Sequence, residues 1–242
     1  MKNKKPLLAI PLLLVAGLVA WKVLLRTPFR YAGTVEATDV DLSPRVSSTI
    51  STVTVHEGDV VVPGRLLVEL GCEDLKLAAA IAASDFARSE HLYKEGSTPF
   101  ETFDRDRNRR DATALQVSWC RIDSPIGGTV LARLHEPGEW VSPGVKILTL
   151  ADLGAVYAYV YVPQDVLYKL KPGASVTAYL PEAGDRPRGG TIAFIRPDAE
   201  FTPKNVQTRA ERTRLVFGVK VALDNADGVL KPGMPIEIEL PK

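Results

Sequence analysis

The sequence predicts a mainly β protein with an α-helical hairpin: a β-domain split by an antiparallel coiled-coil hairpin, then a small β-barrel, with a transmembrane helix at the N-terminus. Three observations carry this reading. Two stretches eighty residues apart repeat one another, an alanine-rich segment separates them, and the last third alternates short apolar runs with Gly, Pro and Asn turns.

The repeat is EGDVVVPGRLLVEL at 57–70 and PGEWVSPGVKILTL at 137–150. Without a gap it matches Gly58 with Gly138, Val61 with Val141, Pro63 with Pro143, Gly64 with Gly144 and Leu70 with Leu150. Each Pro-Gly pair supplies a turn between alternating apolar residues, so each copy reads as a small β-hairpin. A unit this short cannot bury its own apolar face, so the two copies are expected to pack together. What lies between them is then carried outward as an insertion.

Before the first copy, YAGTVEATDVDL (31–42) alternates as a strand, Ser43-Pro44 breaks it, and RVSSTISTVTV (45–55) is rich in β-branched residues. The insertion begins at Glu73. Leu75, Ala79, Ala82, Phe86, Ser89 and Tyr93 share one face at 3/4 spacing, a thin seam for a second helix. Gly96 stops that helix, and Thr98 is placed to cap the next with Pro99 in its first turn. The second arm offers Phe100, Phe103, Ala114 and Val117 to the seam, with a charged block, 104–111, in its middle. That block reads as a solvated face or as charges that pair between protomers.

Cys72 and Cys120 stand at the roots of the two arms. An antiparallel hairpin sets them opposite each other, where either a disulfide closing about 47 residues or two separate buried thiols fits. Without His or carboxylate at ligand spacing, the pair is a poor zinc site.

The N-terminus carries its own signal. Lys2, Lys4 and Lys5 precede an uncharged run from Pro6 to Trp21, and apolar residues resume at 23–25. With Lys22 snorkelling, this approaches the ~20 residues that span a bilayer. A cleaved signal peptide shares the charged start and apolar centre. The length of the run, and the lack of a small-x-small site before Trp21, favour a retained anchor over 1–26. No cysteine follows, which excludes a lipoprotein anchor. The leading lysines put the N-terminus in the cytoplasm and the body outside it.

Residues 1–30 hold six basic and no acidic residues, leaving 24 of the 30 Lys and Arg against 29 Asp and Glu in the other 212, a net of −5. An acidic body with few aromatics excludes nucleic acid as the main partner.

In the C-terminal third, strands are expected at 155–163, 174–180, 189–195, 214–223 and 235–241, with one helical turn in QDVLYKL (164–170). These short strands, with no long helix among them, fit a small barrel. The polar stretch 205–213 reads as a loop.

Catalysis finds no support. His56, His91 and His135 fall in two hairpins and a helix end with no nucleophile arranged beside them, and no phosphate-binding glycine loop occurs. No catalytic, cofactor or metal residue is expected.

Several segments together resemble the HlyD-like membrane fusion proteins, the periplasmic adaptors of tripartite exporters: GTVEATDVDL (33–42), EGDVVVPG (57–64), LYKEGSTPFETFD (92–104), IDSPIGGTVLA (122–132) and 201–235. The last is most similar to the branch paired with ABC exporters. The resemblance implies a split lipoyl-like domain (43–71 and 121–151), a helical hairpin (72–120) and a β-barrel domain (31–42 and 152–242). It also implies a homo-oligomer, hexamer or trimer, joining an inner-membrane ABC exporter to a TolC-like outer-membrane channel. A channel-contact pattern at the hairpin tip falls on Arg88 and Leu92, with Pro99 where relatives have serine. Relatives commonly carry Asp and Thr where Cys72 and Cys120 stand, and their joint departure favours the bridge. The absence of a further domain after the last barrel strand also points to an ABC partner. Swinging-arm carriers share the two-half fold, but here the 47-residue insertion replaces the turn that would present a modifiable lysine. A scaffold of an envelope complex unrelated to export is the other reading.

Overall fold

The computed structural model describes residues 29–201 and 215–241. The predicted anchor over 1–26 and the polar stretch 205–213 lie outside the described residues. Within them, no helix is long and apolar enough to cross a membrane.

The eighty-residue repeat turns out to be a pairing rule. Strands β2 (Ser48–Val53), β3 (Val60–Val61) and β4 (Leu66–Leu70) recur as β6 (Gly128–Arg133), β7 (Trp140–Val141) and the start of β8 (Leu148–Pro163). Within each copy the long strands pair alike, Ile50 opposite Leu70 and Val130 opposite Leu150, and each pairing carries a bulge one step later. Between copies the short strands are exchanged: β7 pairs with β2 through Ser48↔Val141, and β3 pairs with β6 through Val61↔Gly128. The flanking hydrogen bonds follow the same symmetry. The Gly58 N–H donates to the Val130 carbonyl and the Gly138 N–H to the Ile50 carbonyl, both at 2.8 Å.

The Pro-Gly turns need residues that accept positive φ. Gly64 sits at +81° and Gly144 at +89°, a conformation that costs a residue with a Cβ roughly 1–2 kcal/mol. The paired strands enclose one core in which Ile50, Val61, Leu67, Leu70, Val130, Val141, Ile147 and Leu150 are all buried. These are four positions of the repeat, each seen twice, which is why neither half has a core alone.

The described residues form two compact units. The first spans Val35–Tyr157 and Asp224–Met234, and holds the exchanged sheets and the helices. The second takes the chain up to Thr34, Ala158–Leu223 and Pro235–Lys242. They divide inside β1 (Tyr31–Leu42) and β8 rather than at the ends of those strands. The second unit is a ring of six strands, with β9 (Ser175–Leu180), β10 (Arg186–Phe201), β11 (Leu215–Leu223) and β12 (Pro235–Glu239) in the order β1-β12-β9-β10-β11-β8. Pairing of β1 with β8 closes the ring. Gly33 serves that closure, because a Cβ there would stand 2.6 Å from the Tyr159 carbonyl oxygen. A single helical turn, α3 (Gln164–Leu167), follows β8.

In the first unit, Asn225 lies within the Asp224–Met234 segment, 3% exposed, and would be costly there without partners. Its amide donates to the carbonyls of Leu153 (2.7 Å) and Leu230 (3.0 Å), and its carbonyl accepts from the Leu230 N–H at 2.8 Å. In sequence it looks like one more polar turn residue.

Candidate functional site

Helix α1 (Glu73–Lys94) and helix α2 (Phe100–Ser118) belong to the first unit, lie between β4 and β5 (Arg121–Asp123) in the chain and run side by side. At 22 residues α1 is about 33 Å long. The arm has little core of its own: only Ala82 and Ser89 of α1, and no residue of α2, are fully buried. Fixed points at its root and near its tip hold it together.

At the root, Cys72 takes the N-cap position of α1 and Cys120 follows the C-cap Trp119 of α2. Their sulfurs are joined, with Cα atoms 6.1 Å apart. Both residues are buried and belong to the same core as the exchanged strands. The Leu70 N–H also donates to the Cys120 carbonyl at 2.8 Å, so backbone and side chain both tie the arm to its base.

Near the tip, four rings meet. Tyr93 stacks on Phe103 at 4.8 Å, Phe86 lies 5.7 Å from Phe103, and Phe100 lies 6.0 Å from Tyr93. Such pairs add roughly 0.5–1.5 kcal/mol beyond the area they bury. The charged block takes part as well. Asp104 binds Arg107 and Asn108 along the helix, but the Arg110 guanidinium crosses to lie 3.9 Å above the Phe86 ring. The block is therefore not solely a solvated face. Ala114, expected in the seam, is exposed; Thr113 is the residue turned inward, because Phe103, Asp106, Arg110, Thr113 and Val117 follow the helical period.

The turn between the arms closes with a left-handed Gly96 (φ +74°). The Ser97 N–H donates to the Leu92 carbonyl and the Gly96 N–H to the Tyr93 carbonyl, at 2.8 and 3.0 Å. Thr98 does not cap α2. The N-cap is Pro99, extended at ψ 151° and without a side-chain cap, since proline has no acceptor to offer. Arg88 and Leu92 line one shallow groove with Ser89, Thr98 and Thr102, and Pro99 is outside it. Arg88 is largely exposed, its guanidinium 3.7 Å from Asp85. Ser89 is among the lining residues, and its hydroxyl is buried without a hydrogen-bond partner, a detail that no sequence pattern signalled.

Each histidine contacts a carboxylate. His91 lies 3.4 Å from Glu95, His135 Nδ1 meets Glu139 at 2.5 Å, and the exposed His56 donates its backbone N–H to Asp59. Among the described residues no cluster of His, Cys, Asp or Glu could hold a metal. In the same unit Asp41 binds Lys146 and accepts from the Thr149 hydroxyl at 2.8 Å. Those hydrogen bonds, Lys146 first, hold the Asp41 carboxyl below the usual range and raise Lys146.

Comparison with known proteins agrees with this geometry. Residues 155–242 match the CusB-like β-barrel domain. The membrane protein YbhG of Salmonella gallinarum is 36% identical over 125 residues, covering 52% of this chain and 38% of that protein. A related membrane protein of Enterobacter is 37% identical over 116 residues, covering 48% and 35%. The chain thus spans little more than a third of the length of these curated relatives. Among solved structures, a MacA–MexA chimera containing the Pseudomonas aeruginosa MexA α-hairpin domain superposes with a TM-score of 0.74 at 19% identity, over 88% of this chain and 80% of that one. A membrane fusion protein of Streptococcus pneumoniae gives 0.63 at 17% identity, over 88% and 99%. Residues 155–242 thus carry a CusB-like β-barrel domain, and the described residues share the fold of solved membrane fusion proteins.

Proposed function

We propose that this protein is a periplasmic adaptor that links an inner-membrane ABC-type exporter to a TolC-like outer-membrane channel. In this reading, 1–26 anchor the chain in the inner membrane, 43–71 with 121–151 form the lipoyl-like domain, and 31–42 with 152–242 form the barrel. The hairpin at 72–120 reaches toward the channel, and the body forms a homo-oligomer in the periplasm. The observation that carries this reading is the arm itself. A helical hairpin tied covalently and by hydrogen bonds into a β core at its root, and exposed along most of its length, is built to transmit position to a partner. Arg88 and Leu92, together in the groove near the tip, are the side chains that meet the channel. The bridge between Cys72 and Cys120 forms in an oxidising compartment.

Affinity purification of the full chain from detergent-solubilised membranes tests the reading. Recovery of an ATPase and a permease with it is the expected result. A lone monomer, after cross-linking in intact cells, overturns it.

A further inference from the structure

The barrel unit carries an apolar concavity where the chain enters it. Phe29, Tyr31, Val166, Leu240 and Pro241 line it, with Lys169 among them. Glu239 also borders it and accepts a hydrogen bond from the Tyr179 hydroxyl at 3.3 Å. Two large rings stand outside any core: Phe29 is 75% exposed, and Tyr168, beside Lys169, is 76% exposed. Phe29 meets Tyr31 edge to face at 4.8 Å.

This arrangement is held in place. Arg30, between the two rings, is pinned to Asp185 at 2.7 Å, and its guanidinium lies 3.6 Å over the Tyr179 ring. In extended chain, neighbours on either side of a residue point the same way, so a fixed Arg30 sends Phe29 and Tyr31 to one side together. Leaving a Phe ring in water forgoes roughly 1.5–3 kcal/mol of burial, so the fixed and exposed Phe29 marks a surface with an occupant.

The chain itself limits what that occupant is. The apolar run ends at Leu25, four residues before Phe29. Four residues reach at most about 14 Å, and the headgroup layer outside the hydrocarbon is about 5–7 Å deep. Aromatic rings flanked by lysine are the side chains that favour that layer. The geometry points to a membrane-interface seat: Phe29 and Tyr168 lie among phospholipid headgroups, and Lys169 meets their phosphates. This rests on 1–26 being a retained anchor.

The test uses the full chain carrying Tyr168→Cys, labelled with a fluorophore and reconstituted in vesicles of phosphatidylethanolamine and phosphatidylglycerol that contain lipids with a quencher near the headgroup. A second protein carries the label at Glu101→Cys on the hairpin. Several-fold stronger quenching at position 168 than at 101 is expected, and adding Phe29→Ser should reduce it while the circular dichroism stays unchanged. Protein that stays in the vesicles but quenches equally at both positions overturns the seat and leaves the anchor standing. So does a label at 168 shielded from a water-soluble quencher without quenching by lipid, which would mean that protein covers the patch. Protein recovered free of vesicles, lacking its first residues, overturns the anchor and the seat with it.

Discussion

Gly128 shows how much one residue can carry. A Cβ placed there would stand 2.5 Å from the Ala151 carbonyl oxygen, which is backbone and cannot step aside. Gly128→Ala should cost about 1–3 kcal/mol, seen as a lower midpoint in denaturant with unchanged slope. A neutral result would mean that β6 and β8 are not this close. Asp41 offers a pH test. Its carboxyl titrates lower in the folded chain than in the unfolded one, so its contribution is full above about pH 4 and is lost as pH falls through the folded value. Asp41→Asn should therefore lower the melting temperature at neutral pH, and the gap from the parent should close in acid. A gap of constant size down to strong acid would refute the pairing. Lys146 behaves oppositely: raised by Asp41, its share persists below the ordinary lysine value and fades only as pH rises through the folded one. Asp41 and Gly128 both lie in segments that carry the resemblance, 33–42 and 122–132, but their roles were not legible there, because close approach and ion pairing over 105 positions are facts of packing.

At the scale of elements, the hairpin is held by a disulfide and a ring cluster with little between. Replacing both cysteines by serine removes a cross-link with a sequence separation of 48, which on the chain-entropy model is worth about 4 kcal/mol. The expected outcome is a lower thermal midpoint for the double variant, with the parent falling to match it once reduced. Phe103→Ala acts locally, because Phe103 touches three other rings. Amide exchange should quicken in α1 and α2 while β2, β4 and β6 keep their protection. Quickening throughout would mean that the arm and its base open as one unit. Much of this element could be read from sequence. The 3/4 spacing set the α1 seam, and Gly96 set its end. The start of α2 lies one position later than the sequence suggests, since Thr98 looks like a cap but the extended backbone of Pro99 takes that role. The Arg110–Phe86 stack was hidden because a run of charges reads as a wet surface.

At the scale of the molecule, the period-two runs and Pro-Gly turns point to most strands but not to β5 and β6, and the repeat implies that two halves share a core. They did not say which strands would be traded, since a repeat fixes what each half resembles and not which edge it joins. That trade has a temporal side. Ser48 in β2 pairs with Val141 in β7, 93 positions later, and the hairpin lies between them. A chain stopped at residue 120 should show helix but no protected β2 or β4, by circular dichroism and limited proteolysis. A protease-resistant sheet in that fragment would mean that the first half matures alone. As the polypeptide is made, its earliest sheet thus waits with an open edge until the late copy arrives, so the fold can be completed only after the arm has been synthesised.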